Sequence, residues 1–82
     1  MKNMSTEQKE LLLQIVDVKI SNFNNDMIDH WKPENFRLSD FYNQSICRLE
    51  SQYKELYGDL PEWKYIDDVV ACRDSLRKEL NR

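Results

Sequence analysis

Along the chain, Leu12, Val16, Ile20, Phe23, Met27 and Trp31 recur every three or four residues, the spacing of one face of an α-helix. Ser5-Thr6-Glu7-Gln8 precedes this run with a hydroxyl at an N-cap and Gln8 three residues on, the arrangement of a capping box. Pro33 removes a backbone N–H and restricts Lys32, so the first helix is expected over 6–31. A second stripe, Tyr42, Ile46, Leu49, Tyr53 and Leu56, follows Ser39 as cap and runs to Gly58, which can take the left-handed conformation that ends a helix. This predicts a helix over 40–57, with Pro33 to Leu38 as a short connector.

Asp59-Leu60-Pro61-Glu62 looks like a third start, with Asp59 as cap, Pro61 in the first turn and Glu62 closing the box. Trp63, Ile66, Val69, Val70, Leu76 and Leu80 follow at helical spacing and predict a helix over 60–80. No alternating strand pattern, internal repeat or low-complexity tract interrupts these segments. The expected fold is all-α: one domain over residues 1–82, an antiparallel three-helix bundle.

Composition narrows this picture without changing it. With 82 residues, 33% charged, 40% hydrophobic and a single glycine, the chain has one thin core and little turn chemistry. A globule of this mass should expose about 5,200 Å². The net charge of −3 divides as −1 in each of 1–32, 33–58 and 59–82, so no segment steers toward a polyanion or mimics one. No apolar run is long enough for a membrane span or signal core, which makes a cytoplasmic setting the expectation. Cys47 and Cys72 lie inside helical patterns, favouring reduced thiols over a bridge. Cys47 falls on a polar face with Asn43, Ser51 and Lys54 and should be exposed.

Candidate chemistry is sparse. His30 is the single histidine, with Asp26 and Asp29 as its helical neighbours, and two ligands do not make a metal site. Cys47 and His30 form the one thiol–imidazole pair, and nothing in the sequence brings them together. One glycine excludes a phosphate-cradling loop. No enzyme, metal or cofactor is expected.

Binding to another protein is the function that fits what remains. On a helical wheel, Leu11, Ile15 and Val18 form a second apolar face on the first helix. The third helix could cover it, or a second copy of the chain, or a different protein. Seven of the nine aromatic residues fall between Phe36 and Tyr65, which makes this belt a second candidate surface, or core filling for a small chain. Arg73 lies near the centre of the third helix's apolar stripe, either in an ion pair inside the bundle or in contact with an acidic partner. The candidate partner-binding residues are therefore Leu11, Ile15, Val18, Tyr53, Tyr57 and Arg73. The expected role is that of an adaptor, antagonist or regulator of a larger protein, of the kind phages and other mobile elements encode. A homodimer is a further alternative. A different class, a nucleic-acid-binding regulator, would rest on Arg73, Arg77, Lys78 and Arg82, a weak footprint in a chain with a pI near 5.1.

Leu38-Ser39-Asp40, Phe41-Tyr42, Arg48-Leu49, Leu56-Tyr57, Pro61 and Trp63 together resemble the small enterobacterial regulators of the Hha/YmoA family over residues 34–66. That resemblance implies a helical adaptor without catalysis that binds the oligomerisation domain of the nucleoid protein H-NS and modulates gene silencing. The family's acid–histidine pair is Ile46-Cys47 here, the LSD-to-FY spacing is shorter, one residue is missing before Leu56-Tyr57, and the third helix runs further. The missing acid belongs to the surface that meets the nucleoid protein.

Overall fold

The computed structural model describes residues 3–26 and 33–82. Three helices make up the fold: α1 (Thr6–Asp26), α2 (Pro33–Tyr57) and α3 (Ile66–Glu79). The all-α three-helix architecture is as the apolar spacing predicts. Two of the three element boundaries that rest on proline chemistry are not.

At the start of α1, the Ser5 hydroxyl accepts the Gln8 N–H at 3.1 Å, so Ser5 is the N-cap. The Gln8 side chain does not close the box. It reaches across to α2, where its Nε2 donates to the Tyr53 hydroxyl at 3.0 Å. α1 is helical to Asp26, and the expectations for Met27, His30 and Trp31 fall outside the described residues. α2 begins at Pro33 rather than at residue 40, so the anticipated connector is two turns of helix. The reason is that proline is well suited to the first helical position, where its missing N–H has no partner to lose. α2 ends as expected: Gly58 adopts φ 91° and its N–H reaches the Lys54 carbonyl at 3.1 Å.

α3 starts at Ile66, six residues later than the Asp59 box suggests. Tyr65 is extended, and its N–H donates to the Asp68 carboxylate at 3.1 Å. Asp68 therefore supplies the capping that Glu62 does not. At the other end, Asn81 turns left-handed at φ 58°, with Asn81 N–H to Lys78 O at 3.3 Å and Arg82 N–H to Arg77 O at 2.8 Å. This paired closure is a Schellman motif with asparagine in the glycine position. Residues 58–65 form an irregular strap between α2 and α3.

α1 is the shared wall of the fold. It packs against both α2 and α3, while those two helices have no Cα atoms within 8 Å of each other. Polar contacts show which face meets which neighbour. Gln8 and Asn22 of α1 reach Tyr53 and Asn43 of α2, and Lys19 pairs with Glu50 at 3.7 Å. Lys9, Glu10 and Asp17 pair with Glu79, Arg82 and Arg77 on the α3 side. Gln8, Ile15 and Asn22 are seven residues apart and share one stripe. Ile15 and its neighbour Leu11 thus face α2. Leu13 and Val16 lie round toward α3. Leu12, Ile15, Val16, Tyr53 and Leu76 have less than 2% of their surface exposed and form the centre of the core. The arrangement is elongated, with a radius of gyration of 13.5 Å against about 12 Å for a globule of this length.

Candidate protein-binding cleft

Three of the six sequence-predicted contact residues belong to this core. Leu11, Ile15 and Tyr53 are buried, Ile15 completely and Tyr53 to 1% exposure. They are corrected here from contact surface to interior. The second apolar face of α1 exists because this helix has two neighbours in its own chain, and the neighbour covering Leu11 and Ile15 is α2. Val18 is half-buried. Tyr57 is half-buried as well and packs against the core, its ring 5.3 Å from that of Tyr53.

Three of the four basic residues at this end of the chain are also engaged. Arg73 pairs with its sequence neighbour Asp74 at 3.3 Å rather than inside the bundle. Arg77 and Arg82 tie α3 to Asp17 and Glu10 of α1, and Lys78 is exposed. These exposed pairs each contribute at most about 1 kcal/mol. They orient α3 more than they stabilise it.

The strap carries the less expected feature. Gly58 turns the chain out of α2, and Pro61 restricts Leu60 to extended backbone. Leu60 and Trp63 then pack against the core from this irregular segment. The Trp63 indole N–H donates to the Cys72 sulfur on α3, and Lys19 of α1 lies 5.5 Å from the centre of the same ring. Trp63 thereby pins the strap into the gap that α2 and α3 leave along α1. Cation–ring contact of this kind is worth about 0.5–1 kcal/mol where exposed.

Beside the strap runs an open trough of three adjoining depressions. The first, of ≈ 320 Å³, is lined by Phe23, Trp63 and Tyr65 together with Lys19, Lys64 and Asn22. The second, of ≈ 560 Å³, shares Lys19, Trp63 and Lys64 with it and adds Glu50, Pro61 and Glu62. The third, of ≈ 410 Å³, continues past Glu50 and Glu62 to Lys54 and Asp59. Phe23 is 39% exposed and Tyr65 63% exposed. On the floor, the Asn22 Oδ1 is buried without a hydrogen-bond partner, a group that costs about 1–3 kcal/mol when left so.

Of these residues, Trp63 and Tyr65 belong to the aromatic belt visible in the sequence. Phe23 reads as core by its spacing, yet the structure leaves it at the rim of the trough, and Lys19, Lys64, Glu50 and Glu62 carry no motif. Elsewhere Leu38, Phe41 and Leu56 are exposed along α2. Among the described residues, no group of three or more histidine, cysteine or acidic side chains could hold a metal ion, and no helix is long and apolar enough to cross a membrane. The side chains of Asp26 and His30 are outside those described.

The two cysteines are free and differ sharply. Cys47 is exposed, as its polar face suggests, and Cys72 is buried. Burial raises the Cys72 thiol above its ordinary value of 9.0. The Trp63 hydrogen bond opposes this in part, and Glu79 adds to it. The folded state therefore holds this proton more tightly than the unfolded chain does. Its contribution is intact below the unfolded thiol pKa and declines as pH rises from there through the folded value. A thiol reagent at neutral pH should titrate one cysteine promptly and the second only on unfolding. A Cys72→Val variant should lose less stability between neutral and alkaline pH than wild type. Prompt reaction of both thiols, or identical alkaline losses, would contradict the burial of Cys72.

No known family model, characterised protein or solved structure matches this chain.

Proposed function

We propose that this protein is a non-enzymatic binding module that engages a larger protein as an adaptor, antagonist or regulator, and that the trough beside the strap is its contact surface. The observation that carries this reading is the placement of Phe23 and Tyr65. Two large aromatic side chains, 39% and 63% exposed, flank a groove next to a half-buried tryptophan. Aromatic groups of this kind bury large areas at small entropic cost and dominate protein interfaces. The molecule also presents 5988 Å² of surface, above the roughly 5,200 Å² of a compact globule of this mass.

A cytoplasmic location belongs to the same proposal. The nucleoid protein H-NS is a partner to try early, given the resemblance of residues 34–66, a stretch that includes the exposed Leu38, Phe41, Leu56 and Tyr65. The nucleic-acid alternative gains no support from the C-terminal end of the chain, where Arg77 and Arg82 pair with Asp17 and Glu10 of α1.

The test is affinity capture from cell extract with wild type, a Phe23→Ser/Tyr65→Ser variant and a Phe41→Ser variant. A protein retained by wild type and by Phe41→Ser, and lost with the double variant, is the expected result. Retention that ignores the Phe23/Tyr65 pair would remove the trough as the contact surface. Sedimentation at micromolar concentration separates a partner from a second copy of the chain. A gel shift at low salt, where electrostatic binding is strongest, checks the nucleic-acid alternative.

A further inference from the structure

The charges along the trough are graded. Its first depression is lined by Lys19 and Lys64 and by no carboxylate. The middle one balances Lys19 and Lys64 against Glu50 and Glu62. The third holds Glu50, Asp59 and Glu62 against Lys54 alone. The formal sum therefore runs from +2 through 0 to −2 along one continuous groove. Lys19 shares its charge with Glu50 at 3.7 Å, whereas Lys64, exposed on the strap, lies 5.5 Å from the centre of the Tyr65 ring and has no carboxylate partner among the described residues, which makes it the main cation open to an acidic group at the first end. Asp68, on the first turn of α3, is engaged with the Tyr65 N–H and does not line the groove. The aromatic side chains also cluster at the cationic end, where Phe23, Trp63 and Tyr65 meet.

Resting on the protein-binding reading above, we infer that the occupant of this trough is an extended segment of another protein whose charges are segregated. Its acidic residues lie at one end beside an apolar side chain, and its basic residues lie at the other. The apolar group packs among Phe23, Trp63 and Tyr65 while the neighbouring carboxylates meet Lys64 and Lys19. The basic end meets Asp59, Glu62 and Glu50. An enclosed small-molecule pocket would not be open along its length, whereas an extended chain fits three depressions in a row. Nucleic acid is disfavoured by the acidic third depression and by the net charge of −3.

Isothermal titration of the full chain with two acetylated, amidated heptapeptides of equal composition tests this. One has the order Asp-Asp-Leu-Phe-Ala-Lys-Lys, and the other alternates the same charges around the same apolar centre. The segregated peptide should bind about fivefold or more tightly than the alternating one, with a preference that fades at high salt. Lys64→Glu should abolish that preference. Lys78→Glu, the same charge change on an exposed residue outside the groove, should retain it. Circular dichroism of both variants confirms that each is folded.

Equal binding of the two peptides would overturn the charge grading and leave the protein-binding reading standing. Binding of neither would also overturn it, while the Phe23/Tyr65 capture experiment still decides the broader reading. Tight low-salt binding of an oligothymidylate in place of the peptides would overturn both.

Discussion

Replacing Ile15 by alanine should destabilise the protein by about 2–5 kcal/mol, a fall in melting temperature on the order of 15 °C for a loss near 3 kcal/mol in a domain of this size. Ile15 has no exposed surface and lies in the stripe between Gln8 and Asn22 that meets α2. Truncating it removes apolar area and leaves a void between two long helices that cannot close around it. Total stability for a domain of this length is about 4–12 kcal/mol, so the loss is a large fraction of the whole. Urea unfolding measures it directly, with Phe41→Ala as the comparison because Phe41 is 61% exposed on α2. That second variant should stay within about 0.5 kcal/mol of wild type. If Ile15 served as a contact surface for another protein, the two alanine variants would unfold alike.

The second large effect is expected at Leu76, the fully buried anchor of α3. Leu76→Ala should cost a similar 2–5 kcal/mol, but the loss should be distributed differently. α3 has α1 as its one helical neighbour, and the strap that precedes it is held by Trp63. Weakening this interface should let α3 open while α1 and α2 remain paired, since Tyr53, Leu11 and Ile15 are untouched. Hydrogen exchange followed by mass spectrometry distinguishes this from global unfolding. The α3 amides should lose protection well before those around Leu12 and Tyr53. Simultaneous loss across all three helices would show that the α1–α2 pair cannot stand without α3.

Both predictions turn on a feature that the sequence conveys only in part. The apolar stripes around Leu12, Tyr53 and Leu76 are legible because burial imposes a 3.6-residue period wherever a helix has one buried side. The α1 start and the Gly58 stop are legible because capping needs particular side chains or a positive φ. Pro33 is ambiguous: the same missing N–H that ends one helix suits the first turn of the next, and local chemistry does not choose. Asp59-Leu60-Pro61-Glu62 is a good helix start on local grounds, but packing of Leu60 and Trp63 from irregular backbone wins over it.

The proposed contact surface is less legible in the sequence for a related reason. A wheel of α1 shows that Leu11 and Ile15 need cover, but it does not show from where. A central helix in a monomer and an interface helix in a complex have the same broad apolar arc. Only the positions of Asn43, Tyr53 and Glu50 on α2 reveal that the cover is internal. The trough itself is assembled from α1, α2, the strap and the first turn of α3, so no contiguous stretch of sequence encodes it. Trp63 and Tyr65 were its one visible trace, as aromatic residues beside a proline in a chain with few turns.

The geometry of α1 as a wall shared by two otherwise separate helices bears on how the chain can vary over time. A position such as Leu12 or Val16 answers to both neighbours at once, and a change there must be accommodated on two sides. Positions on α2 and α3 have α1 as their one helical neighbour, since the backbones of those two helices do not approach each other. Among descendants of this sequence, α1 should therefore drift slowest, while α2 and α3 accumulate substitutions independently of one another.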